Sequence, residues 1–121
     1  MAGEARRPRV LVVEDEVLVA MAVEGLLEDL GCDVAATCAH LDEALRRAAA
    51  EPVDFAILDL NLDGKRSFAV ADILRARGVP FVFATGYDVA TLDGAYADQP
   101  TLAKPFMPGD LERVLKQAGL I

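Results

Sequence analysis

The amino-acid sequence predicts a doubly wound α/β fold, with a five-stranded parallel sheet and helices on both faces. Three observations predict it. Short β-rich apolar runs alternate with longer runs of helical periodicity, and five such β-α units fill the chain. The strand candidates are continuously apolar instead of alternating, which is the pattern of strands buried on both faces of a parallel sheet. The 121 residues suit one domain of ~100–150 residues and leave no room for a second of ordinary size.

Each element follows from its own residues. Residues 9–14, with Val10, Leu11, Val12 and Val13 in succession, form the first strand. Across residues 16–30 the apolar positions Val19, Val23, Leu26, Leu27 and Leu30 recur at three- and four-residue spacing, and Gly31 stops that helix. Residues 33–37 make a weak strand. A helix over residues 41–50 places Leu41, Ala44, Leu45 and Ala48 on one face, capped by either His40 or Asp42. Residues 55–59 are the third strand, followed by a turn at Asp63 and Gly64 and a helix over residues 67–77 that ends at Gly78. Residues 80–84 are the fourth strand. Thr91 and Gly94 are poor helix formers, so any helix over residues 88–96 is short or mobile. Leu102 and Ala103 make a brief fifth strand, and residues 110–118 a final amphipathic helix ending at Gly119. The chain divides into an N-terminal tail, residues 1–8, and one domain, residues 9–121.

Composition removes several function classes. The 12 Lys and Arg stand against 20 Asp and Glu, a net charge of −8, and no basic run is dense enough to track a phosphate backbone, so no direct nucleic-acid binding is expected. The longest apolar stretches, residues 10–13 and 79–84, fall far short of the ~20 residues that cross a bilayer. Arg6 and Arg7 precede too few apolar residues for a secretory signal. The chain reads as cytoplasmic, with no membrane partner. Cys32 and Cys38 have only the single His40 near them, which excludes a zinc site and leaves two ordinary reduced thiols.

The chemistry sits at the strand ends, because ligands of open α/β sheets bind beyond the carboxyl ends of the strands. The first strand ends in Glu14, Asp15 and Glu16, the third in Asp59, the fourth in Thr85 and the fifth in Lys104. Carboxylates gathered on one edge repel one another unless a cation sits among them. Magnesium, which takes a few carboxylates plus water and phosphate oxygens, suits Asp15 and Asp59 as direct ligands, Glu14 through water and the backbone carbonyl of Asn61. Thr85 and Lys104 add a hydroxyl and an ammonium that meet phosphoryl oxygens. Carboxylate, metal and oxygen-binding donors together form a phosphoryl-transfer set, and an aspartate accepts a phosphoryl group as a mixed anhydride. Asp59 ends the most apolar strand and is the best nucleophile candidate.

Four motifs carry a resemblance: Val12-Val-Glu-Asp-Glu16, Ile57-Leu-Asp-Leu-Asn61, Phe83-Ala-Thr-Gly-Tyr87 and Leu102-Ala-Lys-Pro-Phe106. Across almost its whole length the chain resembles the receiver domain of two-component response regulators, and the third motif resembles the stand-alone subgroup nicknamed FATGUY. The resemblance implies a flavodoxin-like strand order 2-1-3-4-5 and a cis Lys104-Pro105 bond. It implies Asp59 as phosphoacceptor, Glu14 and Asp15 as the acidic pair for Mg2+, Thr85 as the switch hydroxyl and Lys104 as the phosphoryl contact. It further implies a sensor histidine kinase or histidine phosphotransfer protein as donor, and a downstream protein reached by surface contact. A monomer or weak dimer is expected, and a phosphoacceptor with self-catalysed transfer and autodephosphorylation instead of an enzyme acting on other molecules.

Two positions depart from the family pattern. Thr101 stands where an aromatic is usual three residues before the lysine, and Leu62, Asp63 and Gly64 replace the usual proline-containing turn after the acceptor. Gly86 loosens the loop after Thr85, so the switch is expected to work through that loop and the weak fourth helix. Tyr87 reads either as a gate near the site or as a packing aromatic, and Asn61 either as a tuner of phosphoryl loss or as a plain turn residue. Lys65, Arg66 and His40 read as solvated polar residues. Two rivals stay open. A phosphohydrolase resembling the haloacid dehalogenase group would carry a second Asp where Asn61 stands, and a pseudo-receiver would bind partners unphosphorylated.

Overall fold

In chain order the elements are β1 (Arg9–Val13), α1 (Val17–Asp29), β2 (Asp33–Cys38), α2 (Leu41–Ala50), β3 (Phe55–Asp59), β4 (Asn61–Leu62), β5 (Lys65–Arg66), α3 (Phe68–Arg77), β6 (Phe81–Thr85), β7 (Thr101–Ala103) and α4 (Pro108–Gln117). They are those of a computed structural model that describes residues 7–62, 64–86, 96 and 99–121. Five strands pair in parallel in the order β2-β1-β3-β6-β7, while β4 and β5 form a separate antiparallel pair. Counting only the strands of the parallel sheet, the order is the expected 2-1-3-4-5.

Alternation along the strands sorts the core into two layers. Leu11, Val13, Leu58, Phe81 and Phe83 face the layer that contains Ala44, Ala48, Val70 and Leu74 of α2 and α3. Val10, Val12, Ile57, Val82 and Leu102 face Val23, Leu27, Leu111 and Leu115 of α1 and α4. All five residues of β3 are buried, as a central strand covered on both faces requires. The two cysteines lie in different layers, both buried with free thiols.

Helix ends follow local chemistry. His40, extended at φ −126° and ψ 148°, takes the cap position of α2 without a side-chain hydrogen bond, and Asp42 and Glu43 lie in the first turn, where the helix dipole favours negative charge. Gly78 ends α3 at φ 75°, a left-handed conformation that glycine adopts without steric cost. The last helix begins at Pro108, two residues before the periodicity suggested, because proline fits a first turn and the Asp110 carboxylate accepts the Met107 N–H at 2.9 Å. Of the expected element over residues 88–96, only Tyr96 lies within the described residues. It is buried and held from three sides: its ring stacks on Phe68 at 5.4 Å, meets Phe83 edge-on at 5.5 Å, and its hydroxyl donates to Asp72.

Candidate functional site

Strand register levels the acidic ends. Val13 pairs with Leu58 across β1 and β3, so the next residues, Glu14 and Asp59, leave the sheet side by side. Asp59 in turn pairs with Ala84 and Thr85 with Ala103, which brings Thr85 and Lys104 to the same edge. The Lys104 N–H donates to the Thr85 carbonyl at 2.8 Å, tying the two chain segments together as they leave the sheet. Carboxylate oxygens of Glu14, Asp15 and Asp59 all come within 4.8 Å of one another. A pocket of about 400 Å³ opens over them, lined by Asp15, Asp59, Asn61, Thr85 and Lys104 together with Glu16 and two glycines, Gly64 and Gly86.

Around this pocket Lys104, Glu14 and Asp59 are tied to one another and to the backbone. The Lys104 ammonium reaches Glu14 Oε1 at 2.7 Å and Asp59 Oδ2 at 3.2 Å. Glu14 Oε2 accepts the Glu16 N–H at 3.0 Å, so both oxygens of Glu14 are engaged within the protein. Asp59 Oδ1 accepts the Asn61 N–H at 3.3 Å. Glu14, Asp59 and Thr85 are buried, whereas Asp15 is half-buried at the pocket mouth. Burial pushes the Asp59 carboxyl up to about 7, with Lys104 pulling down and Glu14 pushing further up. Burial works against the charge on Lys104, but its hydrogen bond to Glu14 and the charges of Asp59 and Glu14 prevail and raise its pKa. Among the described residues one ammonium, Lys104, is bridged to two members of this carboxylate trio, and oxygen donors of this kind fit a hard divalent cation such as Mg2+.

Comparison with known proteins decides the family. The profile of the response regulator receiver domain matches residues 10–116. The chain belongs to that family. This receiver is 37% identical over 113 residues to the phyllosphere-induced regulator PhyR of Methylorubrum extorquens, a match covering 90% of the chain and 42% of PhyR. It thus spans less than half the length of that relative. Among solved structures, the receiver is similar to SdrG from Sphingomonas melonis Fr1, with TM-score 0.84 and 39% identity, covering 98% of this chain and all of that one. It is also similar to the receiver domain of PhyR from Erythrobacter litoralis, with TM-score 0.82, 33% identity and coverage of 95% and 92%. These relatives are consistent with the FATGUY resemblance. The receiver is therefore of the two-component response regulator type, a domain family whose members are generally non-enzymatic phosphoacceptors. Among the described residues, no helix is long and apolar enough to cross a membrane.

The receiver brings Glu14, Asp15, Asp59, Asn61, Thr85 and Lys104 into one cluster, and its Lys104-Pro105 bond is cis. Tyr87 and Asp63 lie outside the described residues. Glu16, placed with Glu14 and Asp15 at the end of the first strand, lines the pocket, and the residues either side of the expected turn pair as a hairpin, β4 against β5. The hairpin had a signal, since Asp-Gly flanked by two short runs favours a tight two-residue turn, and Gly64 does adopt φ 81°. At the departure from the family pattern, Thr101 pairs with Phe83, and the aromatic packed on Phe83 from this part of the chain is Tyr96.

Proposed function

We propose that Asp59 accepts a phosphoryl group from the phosphohistidine of a kinase or phosphotransfer protein, at a Mg2+ site built from Asp15, Asp59 and the carbonyl of Asn61, with Glu14 acting through water. The observation that carries this reading is the convergence of three carboxylates within 4.8 Å on one lysine that spans two of them. In the transfer a carboxylate oxygen of Asp59 bonds to phosphorus as the P–N bond breaks, and the donor imidazole nitrogen keeps the electron pair. Lys104 neutralises charge on the phosphoryl oxygens and the buried Thr85 hydroxyl meets one of them. Magnesium, held by Asp15, Asp59 and the Asn61 carbonyl, would supply neutralisation of the charge on the phosphoryl oxygens. Glu14 has both oxygens engaged by Lys104 and the Glu16 amide, which supports its place behind the direct ligands.

The surface beside the pocket supports a protein as donor. Val17, Leu18 and Met21 of α1 are largely exposed, as is Met107. An apolar groove lined by Leu18, Val19, Ala22 and Phe106 runs between them and shares Glu16, Gly86 and Lys104 with the carboxylate pocket. An apolar face contiguous with a reactive site suits a macromolecular partner. Aspartyl phosphate then alters the partners of Thr85 and Lys104, and with them the surface offered downstream, until hydrolysis restores the carboxylate at a rate that Asn61 tunes.

Intact-mass measurement after incubation with Mg2+ and a small phosphodonor tests the reading. Wild type gains one phosphate, slowly lost, and Asp59→Asn gains none. An adduct that persists on Asp59→Asn, or its absence from wild type with both a small donor and a phosphorylated kinase, overturns it.

A further inference from the structure

The hairpin that follows the acceptor presents two cations with nothing to hold. Lys65 and Arg66 are both exposed. Among the described residues neither side chain makes an ion pair or hydrogen bond, in a chain whose acids outnumber its bases 20 to 12. Nearly every other described cation is committed: Arg7 to Asp33, Arg9 and Arg47 to Glu51, Lys104 to the pocket, Lys116 to Glu112. Nor is the hairpin a loose loop. Leu62 is buried in the core, Gly64 closes the turn at φ 81°, and the Ser67 N–H donates to the Leu60 carbonyl at 3.1 Å where the hairpin rejoins the body.

Register tells where these cations project. Asn61 pairs with Arg66 and Leu62 with Lys65, and residues opposite one another in an antiparallel pair share a face. Asn61 lines the carboxylate pocket, whereas Leu62 and Lys65 line a separate hollow against His40 and Asp42 at the start of α2. Arg66 therefore shares the pocket-side face with Asn61, and Lys65 lies on the reverse. An approaching phosphoryl group is itself anionic and meets Asp15, Glu16 and Asp59 in the pocket walls, with Lys104 already occupied by two carboxylates. Uncommitted positive charge on the pocket-side face of the hairpin offsets that repulsion and draws the donor's anionic end toward the pocket.

We propose that Arg66, reinforced by Lys65, is a positioning residue that steers the anionic phosphoryl donor onto Asp59. The inference rests on the phosphoacceptor reading above and adds a determinant of donor preference to it: donors of higher negative charge gain more. The test compares wild type, Arg66→Gln, Arg66→Lys and Lys65→Gln/Arg66→Gln, using acetyl phosphate, a dianion near neutral pH, and phosphoramidate, which carries less negative charge. The double variant loses about fivefold in its second-order phosphorylation rate with acetyl phosphate at low salt, and less with phosphoramidate. The gap closes as ionic strength rises past physiological, where screening acts within ~8 Å, and Arg66→Lys keeps most of the wild-type rate. Rates equal to wild type at low salt overturn the inference. So does a loss that is the same for both donors and indifferent to salt, which marks a structural defect. Absence of any adduct on wild type is a different failure: it removes the Asp59 reading and this inference with it.

Discussion

Replacing Asp59 by asparagine should stabilise the metal-free receiver at pH 8 while leaving it nearly unchanged near pH 4. The carboxyl is pushed from 3.8 up to about 7, first by burial and then by Glu14, with Lys104 opposing. Between those values the folded protein keeps a proton that the unfolded chain has released. Folding is thus favoured at Asp59 below the unfolded pKa, and this advantage is lost as pH rises toward about 7. A shift of roughly three pKa units corresponds to a penalty of about 4 kcal/mol once the loss is complete, at ~1.4 kcal/mol per unit. Asparagine carries no charge to desolvate, and the opposing pull of Lys104 at 3.2 Å is already contained in the raised value, so its loss is not subtracted a second time. Lys104 retains Glu14 at 2.7 Å, and the gain at pH 8 is set at about 4 kcal/mol. Urea denaturation in chelator at pH 4, 6 and 8 measures it. The difference between wild type and variant isolates Asp59 from the other carboxylates. A difference that does not change with pH, or a variant less stable than wild type at pH 8, refutes the reasoning.

Two further outcomes follow from the same geometry. Saturating Mg2+ should stabilise wild type by about 2.7 kcal/mol at a hundredfold excess over its dissociation constant. Asp15→Asn should lose most of that gain, read as the shift of the urea midpoint with and without the ion. Phe83→Ala removes a fully buried ring that meets Phe68, Phe81 and Tyr96 at 5.5–5.7 Å, and should cost about 3–5 kcal/mol in equilibrium unfolding.

The acidic ends of β1 and β3 work against the fold on their own. Glu14 and Asp59 are buried level with each other, and one ammonium is shared between them. The four buried apolar residues on each of β3 and β6 supply the surrounding apolar stability that tolerates such a site. The local conflict is itself a functional signature, since a buried carboxyl with a raised pKa, as at Asp59, marks a place where charge is to be handled.

Residue order alone determined the five strands of the sheet, the helices α1, α2, α3 and α4 and the residues that end each strand. Those features are local: apolar runs such as residues 10–13 and 55–58 have one economical burial, and the glycines at 31, 78 and 119 that follow helix ends take positive φ. The strand ends also declared their chemistry, because Glu14, Asp15, Asp59, Thr85 and Lys104 are polar where the preceding residues are not. Tertiary structure decided what depends on register and on partners brought from afar. It set Glu14 level with Asp59, gave Lys104 to both, engaged the second oxygen of Glu14 with the Glu16 amide, and packed Tyr96 on Phe83 beside Thr101. It also folded residues 61–66 into a hairpin that puts Asn61 and Arg66 on one face. Hydrophobic periodicity reports whether a residue is buried, but not which distant atom it meets once there. The first is a property of a short window of chain, and the second of the whole packed sheet.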